Sequence, residues 1–85
     1  MAGETEMVVE CIFGLKYHRK VTLRVGHEYI IEPLNPIKQR HRGRRCRLLE
    51  FVLSERDYKT TIAKVKFLDT QRAGLVDLDD LVIPP

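Results

Sequence analysis

The sequence predicts a mainly β fold, arranged as a small antiparallel barrel, and three observations carry that prediction. Several short segments alternate apolar and polar residues with period two. Turn signals separate these segments at short intervals, at Gly26, at Pro33-Leu34-Asn35-Pro36 and at residues 69–72. The chain has 85 residues, enough for one domain with a small core. Closing the sheet would remove the free edges that so short a chain has little means of covering.

Residues 5–17 read two ways. Val8, Cys11, Ile12 and Leu15 fall at helical spacing behind Thr5, a capping residue type, and this predicts a short amphipathic helix. Met7-Val8-Val9 and Ile12-Phe13 suit a strand instead, and Gly14 weakens a helix. The helix is the favoured expectation, with an extended arm as the alternative. Lys20 to Val25 alternates, with Val21, Leu23 and Val25 on one face, and Gly26 ends it. His27 to Glu32 is a second strand, stopped by Pro33, where a loop opens that runs to Gly43.

Residues 44–53 form a strand with a local bulge, with Cys46 and Leu48 turned inward. A polar hairpin loop, Ser54 to Lys59, leads to Thr61–Leu68, where Ala63, Val65 and Phe67 face the core. Residues 73–77 make a short strand. Asp77 to Leu81 reads as a single helical turn rich in N-capping acids, and Val82-Ile83 as a last strand before Pro84-Pro85. Residues 1–25 are thus an N-terminal arm, and residues 26–85 the barrel.

Apolar residues make up 44% of the chain, which fits a globular domain and excludes a disordered tail. The net charge is +3 and unevenly spread. Residues 1–15 hold Glu4, Glu6 and Glu10 and no base; residues 16–47 hold ten Lys or Arg against Glu28 and Glu32. Residues 48–85 hold five Lys or Arg against seven acids. Cys11 and Cys46 show neither a disulfide framework nor a zinc spacing, and read as free thiols of a reducing compartment. No signal-peptide pattern and no membrane-length apolar run is present, so the cytoplasm is the expected location and no membrane partner is expected.

The basic middle is concentrated between Lys38 and Arg47, where six of ten residues are cationic and His41 offers a seventh charge. Like charges so close repel, and nucleic-acid phosphate is the commonest relief. Arginine forks pair with phosphate oxygens, and Gly43 lets a backbone approach closely. The candidate contact residues are Lys38, Arg40, His41, Arg42, Arg44, Arg45 and Arg47. Alternation sends Arg45 and Arg47 to solvent, so Arg40, Arg42, Arg45 and Arg47, with Lys38, are expected to share one patch. Lys16, Arg19, Lys20 and Arg24 are candidates to extend it. The competing explanation is a solvated loop that aids solubility. His18, His27 and His41 share no ligand spacing, so neither metal nor cofactor is expected.

From Gly26 onward the order of elements resembles the small SH3-like barrels of KOW and Tudor-type modules. Tyr29-Ile30-Ile31 matches the first strand, Pro33 to Arg42 the long loop, and Gly43 the glycine ahead of the second strand, Arg44 to Phe51. A hairpin around Asp57, the strand Leu75-Val76 and the single turn 77–81 complete the match, the late turn being its most specific part. The resemblance implies adhesion to nucleic acid or protein rather than catalysis. KOW motifs flank their glycine with apolar residues, whereas arginines flank Gly43. Tudor-type recognition of methylated cations needs an aromatic cage, for which Tyr17, Tyr29, Tyr58 and Phe13 are too few once Phe51 and Phe67 enter the core.

Two other roles remain open. One is a protein-interaction or assembly module, including a homodimer that would double the basic surface. The other is an endoribonuclease similar to the MazF class, whose SH3-like barrel carries a basic loop after its first strand. Against it, Cys46 stands where that family has proline, and the chain has no room for the longer C-terminal helix.

Overall fold

The computed structural model describes residues 5–13, 17–35, 37, 39–54 and 60–85, with the side chains of Phe13 and Tyr17 excepted. Lys38 of the basic run, Leu15 and Lys16, and the loop expected around Asp57 fall outside them. Among the described residues, seven strands and one 3-10 turn follow in chain order: β1 (Glu6–Phe13), β2 (Tyr17–Arg24), β3 (Glu28–Ile31), β4 (Arg45–Leu53), β5 (Thr61–Phe67), β6 (Arg72–Val76), the turn Leu78–Asp80 and β7 (Leu81–Val82). The fold is mainly β and entirely antiparallel in its ladders. β1 and β2 form a hairpin, and the other strands form one sheet in the order β6-β5-β4-β3-β7. Among the described residues no ladder joins β6 to β7, so the sheet ends in two edge strands.

The amphipathic helix expected over residues 5–17 is instead β1 and the start of β2. Glu6 pairs with Arg24 and Phe13 with Tyr17 across the whole hairpin. Burial explains the outcome. Val9 and Cys11 on β1 and Leu23 on β2 are buried, and Met7 and Val21 are half-buried beside them. These positions have period two. The helical stripe would have covered Val8 and Ile12, which are 54% and 72% exposed. The hairpin shares the core of the sheet: Val9 and Leu23 pack in one cluster with Tyr29, Ile31, Cys46, Leu48, Ala63, Val65, Phe67, Val76 and Leu81. A buried hydroxyl ties the two layers together, because Tyr29 Oη accepts the Arg24 backbone N–H at 2.7 Å.

β4 is the central strand. Its first half pairs with β3 and its whole length with β5, and a register shift between Leu48 and Glu50 leaves Leu49 unpaired as a bulge. Cys46 and Leu48 are fully buried, as alternation requires, while Arg45 and Arg47 are exposed. Inward from β5 come Ala63, Val65 and Phe67. Gly74 faces the Phe67 ring so closely that a methyl group there would lie 2.5 Å from Cε2. Asp77 precedes the 3-10 turn in extended conformation, but its carboxylate makes no cap hydrogen bond to the turn. The backbone closes the turn through Asp80 N–H to Asp77 O at 3.1 Å, and Asp80 O accepts Glu32 N–H at 2.7 Å.

Leu23→Ala should destabilise the whole protein by about 2–5 kcal/mol, whereas Val8→Ala should change stability by no more than about 0.5 kcal/mol. Urea unfolding of both variants checks this; a large loss for Val8→Ala is what a helix over 5–17 requires.

Candidate functional site

Residues 39–47 of the basic run fold as a turn followed by the first residues of β4. Arg42 N–H donates to Gln39 O and Arg44 N–H to His41 O, at 3.1 and 3.0 Å, giving two overlapping turns. His41 and Gly43 both adopt left-handed backbone, with φ of 64° and 84°. Nothing lies within 4 Å of a methyl group placed on Gly43, so glycine serves this turn by its conformation and not by its size. Gly43 N–H then reaches Ile31 O at 2.7 Å, and Ile31 N–H reaches Arg44 O at 3.0 Å, which aligns β4 on β3.

Half of the run's cations are committed inside the protein. Arg42 donates through Nη1 to the Glu32 carboxylate and through Nη2 to Asn35 O at 2.8 Å. Arg44 grips Asp69 with two parallel bonds, Nε to Oδ2 at 3.1 Å and Nη2 to Oδ1 at 2.9 Å. Its guanidinium carbon lies 4.1 Å from the centre of the Phe67 ring, and its Nη1 lies 2.7 Å from His41 Nδ1. Arg47 donates to Gly26 O at 2.7 Å and to Glu28 Oε2 at 3.1 Å. Arg40 and Arg45 are exposed, and among the described residues neither forms an ion pair. The expected single patch therefore divides: Arg45 and Arg47 share the outer face of the sheet, while Arg40 and Arg42 belong to the turn.

Register reveals a cation that the run does not contain. Lys66 on β5 stands directly opposite Arg47, and Lys64 stands opposite Glu50. The outer face thus carries Arg45, Arg47, Lys64 and Lys66 against Glu28 and Glu50. The alternation of Thr61–Leu68 already placed both lysines outward; which arginines they would meet depends on strand pairing. Asp69 and Phe67 likewise join the site only through the fold. Arg19 and Arg24 do not extend the patch: Arg19 Nη2 donates to Asp79 O at 2.6 Å with its buried Nε unpartnered, and Arg24 pairs with Glu6. Lys20 stands opposite Glu10 on the hairpin.

The titrating groups follow from this geometry. Burial, then the neighbouring charges of Arg44 and Arg40, hold the His41 imidazole below its ordinary range. An arginine only donates, so the neutral His41 Nδ1 is the acceptor of the Arg44 bond. His41 therefore adds no seventh charge near neutral pH. The hydrogen bond from Arg44 holds the Asp69 carboxyl below the usual carboxylate range. Burial pushes the Cys46 thiol up to about 11, so it sits in the core as a neutral thiol. A cleft of about 130 Å³ lies away from the basic face, lined by Cys11, Ile12, Leu34, Asn35, Asp77, Asp79 and Asp80. Among the described residues no group of three or more His, Cys, Asp or Glu is arranged to hold a metal ion, and no helix is long and apolar enough to cross a membrane.

No family model, curated protein or solved structure matches the chain.

The unfolded chain takes up the His41 proton near the ordinary value of about 6.5, and the folded chain only at lower pH. The stability this histidine confers is complete above that pH and drains away as the pH falls through the folded value. Denaturant unfolding from pH 7.5 down to 5 should show the decline, and His41→Gln should flatten it.

Proposed function

We propose that this chain is a non-catalytic nucleic-acid-binding module, an SH3-like barrel of KOW or Tudor type that holds backbone phosphates on the outer face of β4 and β5. One observation carries it: Arg45, Arg47 and Lys66 stand on neighbouring positions of that face. Residues two apart on a strand are about 7 Å apart, and paired strands about 4.8 Å. Like charges directly opposite each other, as Arg47 and Lys66 are, destabilise a sheet and leave an anion to be recruited. Glu28 relieves Arg47 only in part. Both of their side chains are more than 40% exposed, and an ion pair so open is worth about 0–1 kcal/mol, which a phosphate can displace.

The order of elements supports the barrel assignment. A long connection separates β3 from β4, the β4 bulge bends the strand shared by its two neighbours, and a single 3-10 turn precedes the last strand. Among the described residues the outer face carries no aromatic ring, which favours backbone contact with a duplex over base stacking with a single strand. A non-catalytic role is supported by His41, whose Nδ1 near neutral pH is engaged by Arg44. Assembly with another protein has its own support in β6, which among the described residues is an edge strand paired only with β5, and where Leu75 is 53% exposed.

Duplex affinity measured across a salt series tests the proposal. The logarithm of the binding constant should fall with the logarithm of salt by roughly 0.7–0.9 per phosphate contact. The double variant Arg45→Ala/Lys66→Ala should flatten that slope by up to about two units without lowering stability, since it also relieves the repulsion between Arg47 and Lys66. No binding at about 50 mM salt would sink the proposal and favour the protein partner.

A further inference from the structure

We propose that His41 is a proton-operated latch: neutral, it holds Arg44 and closes the 39–44 turn onto the β5–β6 turn; protonated, it releases Arg44 and adds a charge at this end of the sheet. The half concerning ligand affinity rests on the phosphate-binding role above; the half concerning the latch stands without it.

The geometry leaves little choice. His41 Nδ1 lies 2.7 Å from Arg44 Nη1, and a guanidinium has no lone pair to offer. Only the neutral imidazole can complete the contact. The ring also packs on Phe67, with centroids 4.8 Å apart and planes tilted by 35°, so Phe67 carries both the imidazole and the guanidinium. The backbone at His41 is left-handed, a conformation that an L side chain adopts at a cost and that the surrounding contacts must maintain.

Protonation acts on three contacts together. It gives Nδ1 a hydrogen that faces the Arg44 donor, and it places an imidazolium beside Arg44 and Arg40. It also makes His41 a competitor for Asp69, the one acidic group facing it among the described residues, which otherwise receives both arms of Arg44. The charged neighbours are therefore Arg40 and Arg44 from its own loop and Asp69 from the β5–β6 turn. β5 contributes the uncharged Phe67, and Arg72 of β6 stands opposite Phe67. Arg44, Asp69 and neutral His41 sum to zero charge; with the proton bound the same cluster is cationic. A ligand that prefers the cationic cluster must, by linkage, raise the His41 affinity for protons. Anion binding at this end of the sheet should therefore tighten as the pH falls.

His41→Gln is the informative variant, since the glutamine Oε1 can accept the Arg44 bond without titrating. In the free protein, NMR should show the Arg44 Nε–H signal and the exchange protection of the Arg44 amide changing with the His41 titration. The variant should show neither change. A His41 titration that leaves Arg44 untouched would overturn the latch. With a short duplex, the wild-type protein should bind more tightly at pH 5.5 than at pH 7.5, by up to about fivefold from one added charge near a phosphate. The His41→Gln protein should change by less than about twofold, and the comparison removes the contributions of His18 and His27. Equal pH dependence in both proteins refutes the regulation and leaves phosphate binding standing. No binding by either protein at any pH refutes phosphate binding, and the free-protein titration still decides the latch.

Discussion

Burial of Cys46 and Leu48 decides where the charge of the basic run can go. Both side chains are fully enclosed, and in a strand each inward residue forces its neighbours outward. Arg45 and Arg47 are thereby placed on the outer face, two positions apart and beside Lys66. Slipping β4 by one residue would bury two arginines and expose the centre of the core, so the arrangement is held by the hydrophobic effect. The strand that organises the core is the strand that presents the charge.

Arg42 and Arg44 of the run are neutralised locally, and each pairing does structural work. Arg42 reaches back to Glu32 and Asn35 and closes the base of the long connection. Arg44 lies on Phe67 and clasps Asp69, joining the start of β4 to the turn after β5. Gly74 leaves the space that the Phe67 ring needs. The core thus extends outward through a ring, a cation and a carboxylate to the surface, with His41 as the component sensitive to pH. A run with six cations in ten residues becomes, over its described residues, a bonded cluster around Arg42 and Arg44 and a short open patch.

The strands whose burial alternates strictly were legible in the sequence. In β4 and β5 the inward sets Cys46/Leu48 and Ala63/Val65/Phe67 came from period two alone, and the expected bulge in β4 lies between Leu48 and Glu50. The hairpin was not legible as such. A short apolar segment carries helical and extended spacings at once, and the choice was made by pairing with residues 17–24 and by Leu23 beneath it. Nor could the fate of each arginine be read. Arg42, Arg44 and Arg47 find Glu32, Asp69 and Glu28 at separations of 10, 25 and 19 residues, and no local pattern links such pairs. Lys66 lies outside the run and enters the site only through the register of β5 on β4.

Titration of the isotope-labelled protein with a short duplex, followed through backbone amide and arginine Nε–H signals, shows directly whether the outer face of the sheet is where phosphate binds. Shifts should gather on Ile30, Arg45, Arg47 and Lys66, while the outer face of the hairpin, at Val8, Glu10, Lys20 and Thr22, stays unchanged. Shifts confined to the hairpin or to β6, or no shifts at low salt, would contradict it.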